Sequence, residues 1–225
     1  MISVVIPTLN AANGLAATLA RIAPSSHRLV QEVIVSDGGS RDATIDLATS
    51  AGCRVVTGPA GRGHQLLRGA AQARAEWLLF LHADTRLSDG WAATARAFID
   101  RTSGQRRAAA FRFELDDPSG FARLLERIVA VRVRMFGLPY GDQGLLLSRA
   151  FYDDIGGYRE LPLMEDVDIV RRIGPSSIET LPIAAVTSAD RYRRNGYAHR
   201  VLRNGCCLGL YMAGVPPRMI ARLYG

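Results

Sequence analysis

The sequence predicts an α/β fold, an α/β/α sandwich with a mainly parallel central sheet and a helical C-terminal segment. Three observations carry this reading. Short apolar runs at residues 2–6, 32–36 and 76–81 each stop at polar residues, as strands buried on both faces do. Between them apolar residues recur at helical spacing, and strands alternating with helices of this length imply right-handed crossovers and a parallel sheet. No Ser/Gly/Pro-rich linker, charge block or internal repeat divides the 225 residues, so a single domain with one sizeable core is expected.

The elements follow in order. The first strand ends at Pro7, Thr8 and Asn10, with Asn10 or Asn13 available to cap a helix built on Leu15, Leu19 and Ile22. The second ends at Asp37, where Gly38 and Gly39 let the chain turn beside a ligand with no side chain in the way. Asp42 then caps a helix on Ile45, Leu47 and Ala48. Gly61-Arg62-Gly63-His64-Gln65 opens a third helix, carried by Leu66, Leu67, Ala70 and Ala73. The third apolar run stops at His82-Ala83-Asp84, which puts polar groups at a strand end; the lesser alternative for Asp84 is to cap a helix starting near Ser88. Downstream, Gly141-Asp142-Gln143-Gly144 forms a turn before a strand at 145–147, and Glu165-Asp166 opens a helix on Val167, Ile169 and Val170. A strand-like stretch at 178–186 precedes Arg191, Arg193 and Arg194.

In an open parallel sheet, ligands bind in the crevice outside the carboxyl ends of the strands. Asp37, His82 and Asp84 stand at such ends, which makes His82 and Asp84 candidate metal or phosphate ligands. Arg62 and the N–H groups at its helix start suit a phosphate, although a solvated loop arginine fits equally. The same two readings hold for Arg191 to Arg194.

The series Val5-Ile6-Pro7-Thr8-Leu9-Asn10, Ser36-Asp37-Gly38-Gly39-Ser40, Gly61-Arg62-Gly63 and Phe80-Leu81-His82-Ala83-Asp84-Thr85 resembles a family 2 glycosyltransferase of the Rossmann-like GT-A fold. The tail, with Arg191-Tyr192-Arg193-Arg194 and Tyr211 to Pro217, is similar to a bacterial subgroup, the radical-SAM/selenodomain-associated transferases. The resemblance implies a nucleotide-sugar-binding half at 1–105, an acceptor-side half at 106–190 and a helical segment at 191–225. It implies donor contacts from Pro7, Thr8, Asn10, Asp37, Gly38, Arg62, His82 and Ala83, and acceptor contacts from Asp142 and Gln143. Arg191 and Arg194 would close on the diphosphate. Asp166 would be the catalytic base with Glu165 its neighbour, in an inverting transfer. A divalent cation, Mn²⁺ or Mg²⁺, would sit on Asp84, with His82 as ligand or ribose partner. The family's usual motif here is Asp-x-Asp, so His82 replaces its first acid.

Other classes fit less well. A sugar nucleotidyltransferase would show a Gly-x-Gly-Thr-Arg loop after the first strand, and a non-catalytic nucleotide-sugar sensor would not need Glu165-Asp166. The net charge of +7 comes from scattered arginines without a recognition helix or interleaved aromatics, which argues against nucleic acid as partner. Two segments, the amphipathic 121–136 and the apolar 206–215, suit a peripheral membrane contact, but ordinary helices packed on the sheet are the more common explanation of both. Cys53, Cys206 and Cys207 have no metal or disulfide spacing, and no run reaches the roughly 18 apolar residues of a span. A cytoplasmic protein, at most associated with the inner face of the membrane, is the expectation.

Overall fold

The computed structural model describes residues 1–22 and 28–224. β1 (Ile2–Thr8), β2 (Val30–Asp37), β3 (Arg54–Thr57) and β4 (Trp77–Phe80) run parallel, joined through α1 (Ala12–Ile22), α2 (Thr44–Ser50) and α3 (Arg62–Gln72). The chain continues through β5 (Thr85–Leu87), α4 (Trp91–Thr102), β6 (Ala108–Leu115) and α5 (Gly120–Phe136). A 3-10 turn (Gly141–Gln143) leads into β7 (Leu145–Ser148), α6 (Arg149–Asp154), α7 (Glu165–Ile173) and β8 (Ile178–Thr187). Three helices complete it, α8 (Asp190–Asn195), α9 (Tyr197–Met212) and α10 (Pro217–Tyr224). The strand order is β3-β2-β1-β4-β7-β6-β8-β5, with β7 antiparallel to both its neighbours and β5 antiparallel to β8.

Alternation along β1 divides the core between the two faces of the sheet. Val4 and Ile6 join Leu15, Leu19, Trp91 and Phe98 of α1 and α4 on one side. Val5 points the other way onto Leu66 and Ala70 of α3 and Ile169 and Val170 of α7. Helices therefore cover both faces, as expected for the sandwich.

One local alternative is not realised. The chain after Asp84 forms β5, not a helix start, and α4 begins at Trp91 behind Gly90, whose φ of 81° suits glycine. Asp84 therefore caps no helix there. β5 pairs with the end of β8, Thr85 opposite Thr187, and the Ser188 N–H donates to the Asp84 carbonyl at 3.1 Å. This pairing carries the C-terminal part of the chain to the end of β4. One side of the apolar 206–215 segment is packed: Cys207 is buried, and Leu208, Leu210, Tyr211 and Val215 pack with Leu163, Met164, Val167 and Ile220, while Cys206 and Met212 are exposed.

Candidate active site

The loops after β1 and β2 are tied together side chain to backbone. Register places Thr8 opposite Asp37, and Thr8 Oγ1 donates to Asp37 Oδ2 at 2.8 Å. Asp37 also accepts the Gly39 and Ser40 N–H groups and the Ser40 hydroxyl. Burial pushes its pKa up, but these hydrogen bonds outweigh burial and the net shift is downward. Asn10 adopts φ 49°, takes the Arg41 N–H on Oδ1 and donates its own N–H to Ser40 Oγ. Asp42 holds the Thr44 and Ala12 N–H groups, so the acid from the second loop, rather than Asn10 or Asn13, secures the start of α1. Gln65, buried on α3, donates to the Thr8 and Ser36 carbonyls at 2.6 and 3.1 Å and fixes both strand ends from below.

His82-Ala83-Asp84 lies against α1 and the 3-10 turn. The Ala83 carbonyl accepts from Thr18 Oγ1 at 2.8 Å. Gly141 is needed where it is, because a Cβ there would fall 2.6 Å from His82 Nε2. Burial, reinforced by the charge of Arg62 and opposed by Asp84 and Asp166, pushes the imidazole down to about 4, so it is neutral near pH 7. The Asp84 carboxylate faces Arg191 of α8 at 3.7 Å.

Three acids approach from the 3-10 turn and the start of α7. Asp166 accepts the Gly141 N–H on Oδ2 at 3.0 Å and lines the cavity. Glu165 is 1% exposed and ion-paired through Oε1 with Arg62 Nε, and burial raises its pKa against the pull of Arg62. Asp142 has a buried Oδ1 with no hydrogen-bond partner. Burial pushes its carboxyl up to about 6, with Arg132 opposing and Asp166 and Asp84 adding. Met164, which enters α7, holds φ 65°, a left-handed conformation uncommon for a bulky residue. It turns the chain so that Glu165 points into the interior while Asp166 faces the cavity.

Two cavities meet at this place. A groove of about 700 Å³ runs along Pro7, Thr8, Asn10, Gly61, Gln65 and Ala83. A smaller chamber of about 110 Å³ is lined by Tyr140, Asp142, Asp166, Thr187, Tyr192 and Arg200. Arg62, His82, Asp84, Leu163, Ser188 and Arg191 belong to both.

Most of the residues singled out in the sequence thus converge, and five do not. Asp37 is fully buried, with both oxygens engaged by Thr8, Gly39 and Ser40, and acts one layer beneath the groove. Gly38 backs onto Gln65, where a Cβ would lie 3.2 Å from the amide carbon. Gln143 is 2% exposed and spans from the Phe111 carbonyl to the Tyr140 N–H, so it supports the turn and is not presented to the chamber. Arg194 is exposed and lines neither cavity. Glu165, the expected neighbour of the base, also lines neither cavity and is paired with Arg62. The sequence reading missed Gln65 as a loop support, Tyr140 beneath the Arg132 guanidinium at 3.4 Å, and Thr187, Ser188 and Arg200. None of these stands in a motif of its own except Gln65, three residues after Arg62.

Among the described residues no three His, Cys, Asp or Glu side chains converge as a metal cage. A cation here would take Asp84 and complete its shell with phosphate oxygens and water, as Mg²⁺ and Mn²⁺ do at phosphate sites. Asp84 is 25% exposed at the junction of the two cavities, which fits that role.

Comparison with known proteins agrees. Glucosyl-3-phosphoglycerate synthase of Mycolicibacterium paratuberculosis is 35% identical over 92 residues, covering 37% of this chain and 28% of that protein. Among solved structures, TarS 1-349 of S. aureus in complex with UDP superposes with a TM-score of 0.63 at 19% identity, over 90% of this chain and 63% of that one. Glucosyl-3-phosphoglycerate synthase from Mycobacterium tuberculosis, in complex with Mn²⁺, UDP and glucosyl-3-phosphoglycerate, gives 0.61 at 20% identity, over 96% and 81%. The chain thus spans under two thirds of TarS 1-349 and the match under a third of the curated relative, and the structural likenesses speak for the fold, which is GT-A. The sequence profile described as "Glycosyl transferase family 2" matches residues 3–126, more than half of the chain. That span contains the stitched β1 and β2 loops, the α3 entry and His82-Ala83-Asp84, and on this match the chain belongs to glycosyl transferase family 2.

Proposed function

We propose that this protein transfers a sugar from a nucleoside-diphosphate sugar to an acceptor hydroxyl, with inversion, and that the groove holds the donor and the chamber the acceptor. The observation that carries this is the shared border of the two cavities: Asp84, His82, Arg62 and Arg191 lie on both, whereas Asp142 and Asp166 lie on the chamber alone. The reacting carbon then sits at the border, between a leaving diphosphate and an entering hydroxyl. TarS and the mycobacterial synthase were each solved with UDP, which makes a uridine nucleotide the first donor to test.

Each residue has a task in this reading. Pro7, Thr8, Asn10 and Ala83 shape the nucleotide wall. Asp84 and the neutral His82 would hold the cation or, for His82, a sugar hydroxyl. A bound Mn²⁺ or Mg²⁺ supplies charge that stabilises the departing diphosphate. Arg62 and Arg191 add positive charge on the same side, and Glu165 keeps Arg62 in place. Asp142 accepts or donates a hydrogen bond to an acceptor hydroxyl, and Asp166 removes its proton as the bond to the sugar forms. The resemblance of the 191–217 tail to the radical-SAM/selenodomain-associated subgroup supports placing the protein there, and the absence of a helix long and apolar enough to cross a membrane, among the described residues, is compatible with a cytoplasmic site of action.

The test is a thermal-shift screen of UDP- and GDP-sugars with and without Mn²⁺, followed by release of nucleoside diphosphate in the presence of candidate acceptors. A ligand that binds only the folded state raises the melting temperature. A cation-dependent shift with one donor is expected, and no shift with any nucleotide sugar would remove the reading.

A further inference from the structure

α5 has one buried face and one bare apolar face. Ala122, Leu125 and Val129 turn inward onto Phe113, Leu115 and Ala189. On another side Phe121, Leu124, Ile128, Val131 and Met135 recur every three or four residues, the spacing that aligns one side of a helix. Each is about half exposed or more, from 48% for Ile128 to 70% for Phe121. At 1.5 Å per residue the row is about 20 Å long. Isolated surface hydrophobics need no explanation, but a continuous row marks an interaction surface.

A basic row runs beside the stripe. At roughly 100° per residue, Arg123, Arg127 and Arg134 fall in one narrow sector next to it. The single acid of the helix, Glu126, has a side chain 13% exposed and paired with Arg123 at 2.7 Å. Arg132 is turned inward, donating to the Leu138 carbonyl and lying over Tyr140. The exposed charge flanking the stripe is therefore positive.

Charge chooses the occupant. A second copy laid stripe to stripe would bring these arginines near their own counterparts, and neither helix offers an exposed acid to oppose them. An anionic bilayer supplies the opposite charge and receives the apolar row in one plane. The net charge of +7 acts in the same direction. The other apolar segment, 206–215, packs Cys207, Leu208, Leu210 and Tyr211 against α7 and α10 and leaves Met212 as its exposed large apolar side chain, against five in the row on α5, so α5 offers the longer docking surface. We infer that α5 seats this protein on an anionic lipid surface, with Phe121, Leu124, Ile128, Val131 and Met135 in the boundary between headgroups and acyl chains and Arg127 and Arg134 on lipid phosphates. The helix is a firm mount for this, since its inner face is core and Phe121 stacks on Tyr197 at 6.2 Å.

The experiment is cosedimentation of the full chain with vesicles of mixed phosphatidylglycerol and phosphatidylcholine, against pure phosphatidylcholine. Binding to the anionic vesicles alone, at low salt, with release at high salt is expected, because screening weakens the arginine attraction. Leu124→Ser/Ile128→Ser/Val131→Ser and Arg127→Gln/Arg134→Gln should each lower partitioning by at least roughly tenfold at an unchanged melting temperature, since all five positions are exposed. No sedimentation with anionic vesicles, or undiminished sedimentation of either variant, would overturn the inference. A concentration-dependent dimer dissolved by the triple serine variant would give the stripe to a second copy and overturn it as well.

Discussion

Arg62 donates through Nε to Glu165 Oε1 across 103 residues of chain, and this ion pair ties the start of α3 to the start of α7. The pair also fixes which acid can do chemistry. Glu165 is withdrawn into the protein to hold Arg62, and its sequence neighbour Asp166 is left facing the chamber. The close approach of the start of α3 to the connection leading into α7 depends on Gly63, where a Cβ would come within 2.4 Å of the Arg159 carbonyl.

Removing one partner of this pair strands a buried charge, so Arg62→Ala should cost about 3 kcal/mol, the low end for such pairs because Arg62 is partly exposed. Glu165→Gln leaves no buried charge and should cost clearly less, and Arg62→Ala/Glu165→Gln should recover part of the loss. Denaturant melts of the three variants check this. Equal stability of Arg62→Ala and the parent would mean that the pair contributes nothing.

Asp84 carries the cation in our reading, so the affinity for UDP should fall strongly in excess chelator. Asp84→Ala should bind UDP with an affinity that no longer depends on Mn²⁺. Titration calorimetry measures both; the same UDP affinity in Mn²⁺ and in chelator for the parent protein would take Asp84 out of this role.

Asp142 makes stability depend on pH in a stated direction. Its carboxyl is raised from 3.8 to about 6 on folding, so between those values the folded state holds more protons than the unfolded one. Its contribution to stability therefore falls as pH rises from about 4 to about 6 and stays flat above. Asp142→Asn should remove this fall and be more stable at pH 7.5 by up to about 3 kcal/mol, while losing affinity for the acceptor. Melting curves across pH 4 to 8 decide it, and an unchanged slope would place the penalty elsewhere.

Asp166→Asn keeps size and the ability to accept the Gly141 N–H. It should fold and bind donor as the parent does yet transfer sugar at least roughly a hundredfold more slowly, as expected for loss of a general base. Turnover paired with a melting curve tests this. Near-normal turnover in a folded variant would move the base to Asp142, and loss of donor binding would place Asp166 in the nucleotide site instead.

The sequence by itself determined three of the four parallel strands, the three crossover helices and the strand ends that carry the site, because buried strands and amphipathic helices write their periodicity locally; the short, half-buried β3 was not legible. It determined the motif residues too, since Pro7, Thr8, Asp84, Asp142 and Asp166 stand at the ends of recognisable elements. Only the tertiary structure decided how these divide the work. Asp37 and Gln143 looked like ligand-binding groups, but a carboxylate and an amide serve equally well to satisfy buried N–H and C=O groups, and which they do depends on what packs above them. The three-residue β5 is too short to show a period, and it exists because β8 returns beside it. The contributions of Thr187, Ser188 and Arg200 follow from that long-range pairing and the helices after it, which no local pattern encodes. The amphipathic 121–136 and the apolar 206–215 had the same two readings in sequence; the fold packed one side of 206–215 and left the stripe of α5 bare, because a partner surface, not the segment itself, settles whether an apolar face is core.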